Sequence, residues 1–215
     1  MRHLTLLLLG LLLVTPAHAD ALLDRLSAAA PGLDRSVLAL ALTARTCAAR
    51  ARRVGPKLAV IDYTRPSTEV RLWVFDVPAA RLLHAEHVAH GRGSGDDVPD
   101  AFSNDEGSHQ SSLGLFATAE TYTGENGYSL RMDGLEPGIN DRARERLIVM
   151  HGADYVDPEQ ARRQGRLGRS WGCPAVRSAA ARPVIDALKD GQLLFAYARD
   201  GAWLDGSAFL RCQAH

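Results

Sequence analysis

The texture of the chain changes at Val54-Gly55-Pro56, and that change limits what it can fold into. Before it the sequence is rich in Ala, Leu and Arg. Leu22, Leu26, Val37, Leu40 and Ala44 recur at helical spacing, and Pro31-Gly32 interrupts them. A helical hairpin is expected over residues 20–56. After the switch come short runs of β-branched and aromatic residues bounded by Gly, Pro, Asn and Asp. Strands are expected over 58–63, 71–76, 81–89, 113–122, 128–132, 147–151 and 192–197. Helical signals there are sparse. Asn140 can cap a turn through Arg146, Asp157-Pro158-Glu159 opens a second element, and Pro183 to Asp190 ends at Gly191. The expected class is therefore α+β, mainly β. A mostly antiparallel β core over 57–200 carries a few helices, and a tail follows over 201–215.

The first 19 residues stand apart. Arg2 and His3 precede an apolar run from Leu4 to Val14, and Ala17-His18-Ala19 is a small-x-small site before Asp20. The run is shorter than the roughly 20 residues a membrane span needs. It reads as a signal peptide over 1–19 cleaved near Ala19-Asp20, which predicts an exported, periplasmic product with no stable membrane insertion. An uncleaved anchor is the alternative. Lys+Arg and Asp+Glu number 25 each, with basic residues scattered, which lacks the basic footprint of a nucleic-acid binder. The three cysteines leave at least one thiol without a partner in the chain. Export favours a bridge between Cys47 and Cys212, although spacing alone also allows both to be free.

Cys173 remains, within Gly168-Arg169-Ser170-Trp171-Gly172-Cys173-Pro174. A thiol is mostly protonated at neutral pH and needs activation to act as a nucleophile. Pro174 suits the first position of a helix, which would set Cys173 at a helix N-terminus. His151 ends the apolar run Leu147-Ile148-Val149-Met150, so a buried strand would present its imidazole to the thiol as base and acid. Gly172 keeps side-chain bulk away from an acyl carbon. Pro174 has no N–H, so oxyanion donors must come from Gly172, Cys173 or an opposing loop. Ser170 can bond to the turn or to the His151 ring.

His-Gly followed by Ser-x-Gly-Cys resembles the signature of the L,D-transpeptidase catalytic domain, also called YkuD-type. Ser111-Ser112-Leu113-Gly114-Leu115-Phe116 is similar to the family's Thr-Pro-x-Gly-x-Phe segment, and the span from Leu58 to Tyr197 follows the family's order. The motif Gly-Arg-Ser-Trp-Gly-Cys-Pro resembles the Gram-negative murein subgroup. The resemblance implies an L,D-transpeptidase-like β-sandwich or barrel core, and an acyltransferase of peptidoglycan stem peptides that needs no cofactor. Cys173 would cleave the diaminopimelate–D-alanine bond through a thioester, and an amine acceptor would give a 3→3 cross-link. Water as acceptor would make it an L,D-carboxypeptidase. Many family members carry His where Trp171 stands and Arg where Ala175 stands. A wall-binding module with a degenerate site is thus a further alternative, and Arg177 a candidate for the absent Arg.

Trp171, Tyr122 and Tyr128 can line a substrate groove, though for the tyrosines ordinary β-core or barrel-rim packing serves equally well. His84, Glu86 and His90 would share a strand face with His109 in the following loop. Their spacing matches no recognised ligand pattern, so no metal is expected, while His90 and His109 can border the cleft. Arg142, Arg144 and Arg146 read as a solvated helix face, with stem-peptide carboxylates as the alternative partner. A monomer is expected.

Overall fold

The computed structural model describes residues 16–212. The expected signal peptide lies outside the described residues except for its last four positions, which begin helix α1 (Pro16–Ala29). Helix α2 (Arg35–Ala51) follows. Its N-cap Asp34 accepts from the Ser36 amide at 2.7 Å, and Val37, Leu38, Ala41, Ala44 and Ala48 form its buried stripe. The two helices pack on the sheet, α1 against β3 and α2 against β1 and β9.

The strands are β1 (Lys57–Asp62), β2 (Leu72–Asp76), β3 (Arg81–Glu86), β4 (Val88–Ala89), β5 (Gly114–Gly124), β6 (Gly127–Gly134), β7 (Val149–Ala153), β8 (Ala175–Arg177) and β9 (Leu193–Tyr197). They form one sheet in the order β3-β2-β1-β9-β5-β6-β7-β8-β4. The edge strands β3 and β4 are separated in the chain by His87 alone. The sheet must therefore curl round until its edges nearly meet, which gives a barrel-like form. Only β1 with β9 and β7 with β8 run parallel. While Leu58, Val60, Phe75, Leu115 and Phe195 are buried on the opposite face of the sheet, the interior is lined by Ile61, Phe116, Met132, Ile148 and Leu194. Helix α4 (Ser178–Leu188) closes it with Val184, Ile185 and Leu188.

Three local expectations change. The run over 81–89 is broken at His87, which lets its two halves serve opposite edges. Helix α4 begins at Ser178, so Pro183 lies inside it rather than in its first turn. Pro174 leads into strand β8, not a helix, because Ala175 and Val176 are buried between β7 and β4. The remaining helices are α3 (Pro158–Gln164), capped by Asp157 as the sequence suggests, and α5 (Gly201–Gly206) in the tail. Among the described residues no helix is long and apolar enough to cross a membrane.

Candidate active site

Strand β7 carries His151 between β6 and β8, with the ring buried. Its Nδ1 lies 2.9 Å from the Gly152 carbonyl oxygen. A carbonyl can only accept, so Nδ1 carries the proton and Nε2 is left as the basic nitrogen. Burial holds the imidazole below its ordinary value, partly offset by that carbonyl. Glycine at 152 leaves room for the strand against α4: a Cβ there would stand 2.8 Å from the Ala181 Cβ.

Cys173 is the free cysteine of the described residues and is half-buried. Its Sγ lies 3.5 Å from the Val149 amide and 3.7 Å from the Leu147 carbonyl oxygen. The thiol accepts from the first, at the start of the strand that carries His151, and donates to the second, two residues before that strand. Burial pushes the thiol up, while the Val149 N–H and the Arg146 guanidinium pull it down. Because β8 is a strand, the helix dipole expected from Pro174 plays no part.

The turn from Arg169 to Pro174 is tied down on each side. The Ser170 amide donates to the His90 carbonyl at 2.9 Å, and the Arg92 amide donates to the Ser170 carbonyl at 2.8 Å. Ser170 Oγ donates to the Cys173 carbonyl at 2.6 Å and accepts from the Gly172 amide at 3.1 Å. Of its two expected partners, Ser170 therefore takes the turn. Ser111 Oγ donates to the Gly172 carbonyl at 3.0 Å and accepts from the Gly91 amide at 3.0 Å. With the Gly172 N–H spent on Ser170, it is not aimed at a reacting oxygen in this state.

Gly172 is required for a reason other than the one its position suggested. Its φ of +121° lies in a region side chains avoid. A Cβ there would stand 2.8 Å from the Gln110 carbonyl oxygen and 2.9 Å from Ile148 Cδ1. Gly172→Ala is accordingly expected to lower stability by about 1–3 kcal/mol and to shift Cys173. Chemical denaturation together with the thiol alkylation rate checks this; an unchanged value for both would refute it.

A cavity of about 560 Å³ brings together Cys173, His151, Ser170, Trp171 and His109. Trp171 is 69% exposed at its rim. It stacks on His109 with ring centroids 5.1 Å apart, and the Arg92 guanidinium lies 5.2 Å from its ring. Arg92 also donates to His109 Nδ1 at 2.9 Å. The other three suggested groove residues lie elsewhere. His90 is fully buried, with Nδ1 2.7 Å from the Arg71 guanidinium; burial and that cation push it down to about 3, so it stays neutral. Tyr122 packs its ring under Arg131. Tyr128 donates to Asp186 at 2.7 Å and packs under Arg182. Both tyrosines thus take the packing alternative.

Arg177 forms a bidentate pair with Glu86, at 2.9 and 2.7 Å, and does not line the cavity. That pair also commits Glu86, which the sequence placed on a face with His84. Among the described residues no three His, Cys, Asp or Glu side chains gather as a metal set. Sequence reasoning missed Glu125, Asn126, Leu147, Tyr155 and Arg169 as lining residues and assigned Arg146 to solvent. Leu147 carried the most legible signal, a large apolar residue beside a histidine-bearing strand. It is 66% exposed and has φ +57°. Burial and the neighbouring Cys173 push the Tyr155 phenol up to about 12, so it keeps its proton at neutral pH.

A family profile for the L,D-transpeptidase catalytic domain matches residues 29–197. Solved structures similar to the chain include an L,D-transpeptidase from Mycobacterium smegmatis, 14% identical, with 66% of this chain and 59% of that one covered at a TM-score of 0.40. A helical cell shape determining protein from Campylobacter jejuni is 11% identical, covering 68% and 48% at 0.46. An L,D-transpeptidase from Stackebrandtia nassauensis is 12% identical, covering 86% and 92% at 0.39. The chain thus spans about three-fifths of the length of the mycobacterial protein. No curated protein matches it.

Proposed function

This chain belongs to the family of the L,D-transpeptidase catalytic domain, and from that premise we propose that it is a cysteine acyltransferase of peptidoglycan stem peptides. The observation that carries the reading is the free Cys173 thiol, bonded to the strand that presents His151 and sharing one cavity with it. Cys173 Sγ attacks the carbonyl joining diaminopimelate to the terminal D-alanine, and its proton passes to His151 Nε2. The C–N bond breaks, D-alanine leaves with that proton, and a thioester remains on Sγ. An amine of a second stem then attacks the thioester, gives its proton to His151, and the thiol is restored as a 3→3 cross-link forms.

The finer reading places the chain in the Gram-negative subgroup marked by Gly-Arg-Ser-Trp-Gly-Cys-Pro. It acts in the periplasm, as a monomer, after loss of residues 1–19. N-terminal sequencing of the exported protein tests the cleavage at Ala19-Asp20. For the activity, mature protein is incubated with tetrapeptide muropeptides and the products are weighed. Dimers with released D-alanine support the transferase. Tripeptide without dimer assigns the carboxypeptidase, with water as acceptor. Absence of both products, with retained binding to sacculi, would leave only a wall-binding module.

A further inference from the structure

Three arginines follow one another at alternate positions before β7, and the third is treated differently from the others. Arg142 pairs with Glu145, and Arg144 with Glu120 and Asp133. Arg146 turns inward and, among the described residues, meets no carboxylate at contact distance. Its Nη1 donates to the Ser103 carbonyl and to Ser112 Oγ, each at 2.6 Å. Its Nη2 donates to the Gln110 carbonyl at 2.8 Å and to Ser108 Oγ at 3.1 Å. Its Nε is buried without a partner.

Those four acceptors lie on one limb of the long irregular segment after β4, and that limb underlies the turn bearing Cys173. The Gln110 carbonyl held by Arg146 is the atom that a Cβ at Gly172 would strike, and Ser111 beside it bonds the Gly172 carbonyl. The residue after Arg146 is Leu147, whose carbonyl accepts from the Cys173 thiol. Arg146 and Cys173 both line the cavity. Neutral donors could fasten the limb without the cost of partly desolvating a cation. A guanidinium held on oxygens alone keeps its net charge available to the cavity.

We propose that Arg146 is a positioning residue with two tasks: it fastens the 103–112 limb beneath the Gly172 turn, and its charge favours the anionic form of Cys173. The inference rests on the reading of Cys173 as the nucleophile. Other charged or titratable groups around the thiol are His151 from β7, Tyr155 beyond it, Tyr63 after β1, Arg169 on the same turn, His109 on the limb and Glu125 at the β5–β6 tip. Arg142 and Asp105 face Arg146 itself, and the exposed Asp105 carboxylate opposes its field. The Lys side chain keeps the charge but cannot span four acceptors in a fork.

The test reads the thiol directly, as the pH profile of iodoacetamide alkylation of Cys173 in the disulfide-intact protein, beside the melting temperature. Arg146→Gln is expected to shift the profile to higher pH and slow alkylation at pH 7 about tenfold. Arg146→Lys should keep most of the rate while lowering the melting temperature. Asp105→Asn, on an exposed carboxylate, should move the profile the other way. A wild-type profile in Arg146→Gln overturns the charge assignment, as does an equal shift in Arg146→Lys. If Arg146→Gln does not fold, Asp105→Asn decides, and an unmoved profile there overturns it. None of these readings requires muropeptide turnover, so failure here is separable from failure of the transferase reading.

Discussion

Cys173→Ala is expected to release no D-alanine and form no dimer from tetrapeptide muropeptides, and His151→Ala to turn over about 10²- to 10⁴-fold more slowly than wild type. The two losses differ in kind. Without Sγ no thioester can form, whereas without the imidazole the thiol can still ionise and attack, only rarely. The resting site makes the second loss large. Burial pushes the thiol up and the imidazole down, so both are neutral near pH 7 and the proton must move as Sγ attacks. The same pair fixes the sign of the pH dependence. The base is the neutral ring, its value lies below the ordinary imidazole range, and activity should persist on the acid side of that range. It falls only as pH drops through the lowered value. Rates followed from acid to neutral pH check this; an acid limb above the ordinary imidazole range would refute it. Residual D-alanine release by Cys173→Ala would show that the thiol is not the nucleophile.

That Cys173 and His151 would share one site was legible because each lies in a short stretch whose chemistry is local. An apolar run ending in His151-Gly152 reads as a buried strand, though the strand runs on to Ala153 and holds His151 at its middle, not at its tip. A cysteine set among Ser170, Trp171, Gly172 and Pro174 is not a core cysteine. What was illegible depended on neighbours distant in sequence. Pro174 suits a helix start by its own geometry, yet Ala175 and Val176 are claimed by β7 and β4 on either side, and pairing overrides the local preference. His90 sits at a strand end that could equally have faced the cleft, but Arg71 buries beneath it and takes its Nδ1. Arg146 looked like one of three alike because alternation was read as a helix face. The segment is a succession of turns, so each guanidinium finds its own partner. A barrel was one of the two expected core forms, but how the sheet closes was hidden for a related reason: only the pairing order shows that strands flanking His87 lie at opposite edges.

Joint replacement of Cys47 and Cys212 by Ser, in a Cys173→Ala background that prevents thiol exchange, is expected to lower unfolding stability by up to about 5 kcal/mol. The structure joins these two residues, 165 positions apart in sequence, in a disulfide with Cα atoms 5.8 Å apart. The closed loop takes in every strand of the sheet. Opening it releases the unfolded chain from a constraint whose entropic worth grows only logarithmically with length. The figure is an upper bound, because other contacts also hold the tail. Trp203 of α5 is buried and donates through Nε1 to Glu136 at 3.1 Å, and its ring meets Phe195 and Tyr197 of β9. With those contacts kept, the tail should stay docked and unfolding should remain one cooperative step. The Cys173 turn is fixed by Ser111, His90 and Arg92, none of which touches the disulfide, so Cys47 and Cys212 replaced alone should keep muropeptide turnover under native conditions. Denaturant titration measures the loss. Alkylation and peptide mapping of the unreduced native protein should label Cys173 and neither of the others. A double variant as stable as its parent, or label on Cys47 or Cys212, would remove the bridge from the account while leaving the nucleophile in place.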